Sequence, residues 1–395
     1  MIEPADRFEY DHCGTTLSYG RDRVLEMSAL LAEHGLERAL IVCGSTTGST
    51  DAVMEPVREG LRERLVSVFD EASAKKSVET VYGGIKAMRE HRADVIVGIG
   101  GGSSLDVARL MSVLDADGRT IEDVYDTLES AGTIRITHVE DGAIPVVAVP
   151  TTFVGACLSG GGSLEAPNLV SSAYPPRVKL SAHNARPIAV VYDPALFETT
   201  PTEILAGSAM NGFNKGLETI YAPGGTPITD ATAASGLRQM CDGFLEIRSG
   251  DPVAFERAVI GLALVQFERR TSLIHAFGHG FSRRYPIQQG LVHAVVTPHV
   301  LRYVFDHVDG RRALLADAIG LSDSGLSSDA AVIEAFETVR DELRLPSRLR
   351  ELDGVCRDDL SSIATFISQD DPMAFVPEGI APTASDIEAI LRTAY

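Results

Sequence analysis

The chain has 395 residues, 45% of them apolar, a length that suggests two cores rather than one in an ordinary soluble globular composition. Its 55 acidic residues against 35 basic ones leave a net charge of -20, which repels nucleic acid and anionic membrane surfaces. No stretch is apolar for the roughly 18 residues a membrane span needs, the acidic start lacks the basic and apolar parts of a signal peptide, and Cys13, Cys43, Cys157, Cys241 and Cys356 form no C-x-x-C pair. A membrane protein, a disulfide framework and a zinc ribbon are therefore not expected, and a cytoplasmic location is.

In chain order, residues 21–34 carry apolar side chains at helical spacing, and R-A-L-I-V-C at 38–43 reads as a strand that ends in a turn over 44–50. A helix is expected over 51–64, kinked or delayed by Pro56, followed by a strand at 65–69 and a helix over 77–91. Then comes D-V-I-V-G-I-G-G-G-S-S-L-D-V-A-R-L at 94–110, a strand, a glycine turn and a helix. Gly100, Gly101 and Gly102 remove the Cβ atoms that would hold a ligand off the backbone, and Ser103 is expected as the N-cap of a helix whose first amides point outward. That is a cradle for an anion, a pyrophosphate above all, although Ser103 stands where the third glycine of G-x-G-x-x-G would fall. Taken alone, the same residues also suit a tight strand-to-helix turn.

Further strands are expected at 145–149 and 188–192, with an irregular Gly/Ser stretch over 151–163 where a strand ends. Helices alternating with buried strands imply a parallel, Rossmann-like sheet with right-handed crossovers. After Asp193-Pro194 the β signal disappears, and helical patterns run over 202–221, 228–247, 252–281, 291–305, 329–343 and 384–392. The expected architecture is an α/β domain over 1–195 followed by an all-α domain over 196–395.

The motifs now stand in an order that resembles the iron-containing (group III) alcohol dehydrogenases and their relatives, the maleylacetate reductases. They read GGGSSLD at 100–106, VPTT at 149–152, Lys179, YDPALFETTP at 192–201, AMN...K..LE..YA over 209–222 and HAFGH at 275–279. The resemblance covers nearly the whole chain and implies the two-domain fold shared with dehydroquinate synthase. It further implies NAD or NADP held by Gly100, Gly101, Gly102, Ser103, Asp106, Thr151, Thr152 and Lys179, a small-molecule substrate between the domains, and a homodimer. The place after the first strand where a carboxylate would select NAD reads Cys43-Gly44-Ser45-Thr46, so NADP is expected to be tolerated.

The departures from the family matter as much. Where its metal-dependent members place their Asp and three His ligands, this chain has Asn211, Lys215, His275 and Gln289. An amide is a poor ligand for a transition metal and an ammonium repels one, so no metal is expected. The TTxGxGSE loop has become TTFVGACLSGGG at 151–162, without its glutamate. Asn211, E-T-I-Y-A at 218–222 and QGLVHAVVTPHVLRY at 289–303 lean toward the maleylacetate reductases, yet those keep His where Lys215 and Gln289 stand.

One of only five lysines, Lys215 is expected to do part of the ion's work by polarising a substrate carbonyl, with Asn211 and Gln289 orienting the substrate and His279 relaying a proton. His275 and His279 lie at i and i+4 on one helix face, a spacing that is by itself more often structural than catalytic, a balance that the resemblance reverses for His279. Arg283 and Arg284 are candidates for a substrate carboxylate. The reading is a metal-independent oxidoreductase of small, possibly carboxylate-bearing carbonyl compounds and alcohols; the alternatives are a sugar-phosphate lyase or cyclase of the dehydroquinate synthase type and a silent nucleotide-binding homologue. An acidic, lysine-poor surface also resembles that of proteins from salt-rich cytoplasm, where salt screens like charges.

Overall fold

β-branched runs too short for helices and too apolar for loops build the sheets of the first unit. The computed structural model describes residues 14–169, 175–267, 270–320 and 327–395; the N-terminal segment and its Cys13 lie outside them. Nine strands occur among these residues: β1 (Thr16–Tyr19), β2 (Ala39–Val42), β3 (Leu65–Phe69), β4 (Val95–Gly100), β5 (Thr133–Ile136), β6 (Val146–Pro150), β7 (Gly161–Glu165), β8 (Arg177–Ser181) and β9 (Ala189–Tyr192). Six form an all-parallel sheet in the order β1-β9-β6-β4-β2-β3, and the other three form a small sheet, β5-β8-β7, in which β7 runs antiparallel.

The unit holding both sheets comprises the described residues up to Thr152 together with Ala156–Thr200. Its helices are α1 (Met27–Glu33), α2 (Ser45–Gly48), α3 (Asp51–Leu61), α4 (Val78–Glu90), α5 (Gly102–Asp117), α6 (Ile121–Ala131) and α7 (Pro194–Glu198). Alternate side chains of the buried β4 enter two cores: Val95, Val97 and Ile99 meet residues of α1 and α3, while Ile96 meets those of α4, α5 and α6. The parallel sheet is therefore covered on both faces. The chain runs from β2 outward to β3, then returns to the other side of β2 as β4 and continues to β6 and β9. Its direction thus switches between β2 and β4, the place where open α/β sheets bind ligands at the strand ends.

The second unit is helical and comprises Pro201–Tyr395 together with Phe153–Gly155. It contains α8 (Thr202–Tyr221), α9 (Pro227–Glu246), α10 (Pro252–Val265), α11 (Leu273–Arg284), α12 (Gln289–His307), α13 (Arg312–Ala318), α14 (Ser328–Glu342), α15 (Leu360–Ile367) and α16 (Ala384–Ala394). α8 is buried along almost its whole length. Gly212 and Gly216 make this possible, since a Cβ at Gly212 would lie 2.3 Å from the Phe153 carbonyl and one at Gly216 2.7 Å from Leu237.

Several local expectations change. Residues 21–34 form a 3-10 turn, Arg23–Glu26, before α1, and Pro56 sits inside an α3 that begins at Asp51 without delay. The Gly/Ser stretch 151–163 is not irregular to its end, because Gly161–Glu165 pairs with β8 and the buried Arg109 guanidinium gathers the carbonyls of Ala156, Ser159 and Gly161. The helix expected over 252–281 is two helices. α10 ends at Val265, and the N-terminus of α11 is satisfied from another helix, the Glu218 carboxylate accepting the His275 N–H at 3.1 Å. Ser103 is not the N-cap: Gly101 is, and Ser103 lies in the first turn of α5.

Candidate active site

In the α/β unit the glycine turn closes the end of β4. Gly100 has φ +123°, a backbone region an L side chain rarely adopts, and a Cβ there would come 3.1 Å from the Ser104 hydroxyl and 3.4 Å from that of Thr47. The Gly101 N-cap offers no side-chain acceptor, so the first amides of the sixteen-residue α5 have no side-chain cap. Thr151 and Thr152 stand beside this turn. The Thr151 N–H donates to the Gly100 carbonyl at 3.1 Å, the Thr151 carbonyl accepts the Thr200 hydroxyl at 2.9 Å, and a Cβ on Gly101 would lie 3.5 Å from the Thr152 hydroxyl. Glycines 100–102, Ser103 and the two threonines are thus brought together, with Thr47 as an addition that no sequence pattern marked.

Asp106, one turn into α5, pairs with Lys76 at 2.8 Å and with Arg109 at 3.5 Å. Lys179 lies on the small sheet, in register with Arg135 on β5 and Ser163 on β7, next to the Gly162 that abuts Asp106.

In the helical unit, Asn211, Lys215 and Glu218 share one face of α8, and His275 faces them from α11. The Lys215 ammonium donates to the Val154 carbonyl at 2.7 Å and to Asn211 Oδ1 at 2.5 Å, and meets His275 Nε2 at 3.3 Å. His275 Nδ1 is bonded to Glu218 Oε2, which leaves Nε2 to accept from the lysine. Asn211 Nδ2 donates to Gln289 Oε1 at 3.2 Å, and Gln289 Nε2 donates to Ser282 Oγ at 3.2 Å. Asn211, Lys215, His275 and Gln289 therefore form one hydrogen-bonded chain.

Burial governs the electrostatics around it. It pushes the Glu218 carboxyl up to about 7 and holds the neighbouring Tyr221 phenol well above its ordinary range, so Tyr221 remains a donor to Glu218. Fully buried His293 packs edge-on against His275 with centroids 4.8 Å apart. Its pKa is held well below the usual histidine value by burial, then by His275, Lys215 and His279. His279, one turn along α11 from His275, is bonded instead to Asp370, Nδ1 to Oδ2 at 2.5 Å.

The positions that hold a metal in the family's metal-dependent members do not fit one here. A divalent ion needs converging lone pairs, whereas the centre of this set is an ammonium whose donors already face an amide oxygen, a carbonyl and an imidazole. The arginines are engaged elsewhere: Arg284 pairs with Asp359 at 3.1 Å and Arg283 lies over the Phe366 ring.

Sequence reasoning missed Glu218, Val154 and Asp370. Glu218 had a usable signal, standing three residues after Lys215 and seven after Asn211 on the same helix face. A backbone carbonyl such as that of Val154 leaves no such mark.

A glycine turn at the switch point of a doubly wound sheet is thus followed in the chain by a helical unit with a buried polar centre. The chain belongs to the iron-containing alcohol dehydrogenase family, whose N-terminal model matches residues 14–194 and whose Fe-containing C-terminal model matches 205–395. It is similar to the NAD-dependent methanol dehydrogenase of Bacillus methanolicus, 27% identical over 95% of this chain and 97% of that protein. The lactaldehyde reductase of Escherichia coli strain K12 is 22% identical over 96% and 98%. Among solved structures, maleylacetate reductase from Agrobacterium tumefaciens superposes with a TM-score of 0.78, 22% identity and 99% coverage of both chains. Sulfoacetaldehyde reductase from Bifidobacterium kashiwanohense in complex with NAD+ gives 0.82, 18% and 99% of both. Among the described residues no helix is long and apolar enough to cross a membrane.

Proposed function

We propose that this chain interconverts a small alcohol and its carbonyl compound with NAD or NADP and without a metal ion. The observation that carries the reading is the Lys215 ammonium at the centre of the polar chain, 2.5 Å from Asn211 and 3.3 Å from His275. A bound nicotinamide dinucleotide supplies or takes up the hydride. On this reading the amides of Gly100–Ser103 and the hydroxyls of Thr151 and Thr152 hold its phosphates, and Asp106 and Lys179 complete that site. The substrate oxygen joins the Lys215 donors in place of the 3.3 Å contact to His275 Nε2. The ammonium then stabilises charge that develops on that oxygen. Asn211 and Gln289 orient the substrate, and His279 takes up or gives the proton.

Arg283 and Arg284 already have partners of their own, so small uncharged aldehydes and alcohols are the substrates to try first, ahead of carboxylate-bearing ones. No carboxylate follows β2 at Gly44, although Asp70 at the end of β3 lies against Gly48. The protein is expected to act as a cytoplasmic homodimer.

The test is turnover of an aldehyde and alcohol panel with NADH and NADPH, with and without chelator, at matched salt. Turnover unaffected by the chelator and detectable binding of NADPH are expected. A requirement for a divalent metal overturns the metal-free mechanism, and tight NADH binding with no NADPH binding overturns the dual cofactor use.

A further inference from the structure

The buried carboxylate of Asp370 belongs to neither group of residues described above as cofactor or substrate contacts, yet it is bonded to His279. The side chain of Asp370 is 3% exposed and that of His279 34%, with Nδ1 2.5 Å from Oδ2. Both partners are held by close packing. Gly280, the residue after His279, has no room for a side chain, since a Cβ there would lie 2.7 Å from Ile367 Cγ1 on α15. This brings α15 against α11 and delivers Asp370, three residues beyond the end of α15, to the histidine. The turn that follows is tied down in its own right, because the Ser272 hydroxyl donates to the Phe375 carbonyl at 2.8 Å.

We infer that Asp370 is a positioning residue that fixes His279 in the Nδ1–H tautomer and so leaves the Nε2 lone pair available to the substrate hydroxyl. The inference rests on the proposed role of His279 as proton relay. A carboxylate is acceptor-only, so Nδ1 carries the hydrogen and Nε2 carries the lone pair. In alcohol oxidation the substrate O–H proton passes to Nε2 as the hydride leaves the carbon for the nicotinamide. The imidazolium then loses that proton to solvent along its exposed edge. In reduction the same proton travels from Nε2 to the oxygen while the hydride arrives at carbon. Either direction moves one proton and one hydride, with nothing left over.

The experiment compares Asp370→Asn, His279→Ala and the double variant for kcat, KM and NADH affinity. It adds 15N spectra of histidine-labelled wild type, with the His279 signal assigned by its loss in His279→Gln. An amide at 370 can donate to Nδ1 and so permit the opposite tautomer, and general acid–base contributions of this kind amount to about 100-fold or more. Expected results are a kcat lower by about 100-fold in Asp370→Asn, unchanged NADH affinity, and no further loss on adding Asp370→Asn to His279→Ala. Equal losses from Asp370→Asn in both backgrounds would mark a structural role and overturn the inference, as would wild-type kcat in Asp370→Asn while His279→Ala is slow. Should Asp370→Asn fail to fold, the wild-type spectrum decides: Nδ1–H for neutral His279 supports the inference and Nε2–H overturns it. Wild-type turnover in His279→Ala instead refutes the relay itself.

Discussion

A lysine that nearly all solvent has left is useful only if its protons have somewhere to go, and the partners of the Lys215 ammonium include the Val154 carbonyl, Asn211 Oδ1 and His275 Nε2. Lys215→Met keeps much of the volume and removes the charge. Turnover should fall by about a hundredfold or more while NADH affinity stays near wild type. The acceptors of Val154 and Asn211 then lose a charged donor, at about 1–3 kcal/mol each, so thermal midpoints must accompany the kinetics. Near-wild-type turnover would sink the mechanism. His293 allows a separate test through pH. It is neutral in the fold but ionises near 6.5 when unfolded, so as pH falls below that value only the unfolded chain gains the proton and stability declines. Glu218 acts in the opposite sense, its contribution being complete below about 4.5 and lost as pH rises toward 7. The midpoint of wild type minus that of His293→Leu isolates the histidine; this signed difference should fall between about pH 7.5 and about pH 5. A constant gap would show that the ring titrates alike in both states.

At the scale of elements, the turn after β4 is where the backbone itself is specialised. Gly100→Ala forces a side chain onto φ +123° and against Ser104, which should cost about 1–3 kcal/mol and weaken NADH binding with it. Unchanged affinity and midpoint would show that the turn is neither strained nor used. This turn was legible because its signals are local: β-branched residues, then glycines, then helical spacing. α8 was equally plain, its apolar residues recurring at helical spacing from Ile204 to Tyr221. The small sheet was not, because β7 begins G-G-S and acquires strand geometry only by pairing with β8. α6 passed unnoticed although Thr120 and Asp123 form a capping box and Gly132 closes its end. The break between α10 and α11 could not be read at all, since one helix start is stabilised by Glu218, 57 residues earlier in the chain. His279 and its Asp370 partner, 91 residues apart, fall under the same limit.

For the molecule as a whole, a net charge of -20 places many like charges on one surface, and their repulsion opposes folding until counter-ions screen it. The thermal midpoint should rise between about 0.1 M and about 2 M KCl, and a flat or falling curve would remove the salt-adapted reading. A different consequence follows from the membership of Phe153–Gly155 in the helical unit. Phe153 sets its ring edge-on to Phe244 at 5.0 Å, and its N–H donates to the Ser208 hydroxyl at 3.0 Å. Val154 supplies an acceptor to Lys215. A gene fragment encoding only residues 201–395 would thus produce a bundle with an empty aromatic slot and an under-coordinated ammonium. The helical half is therefore a module in space without being one along the gene.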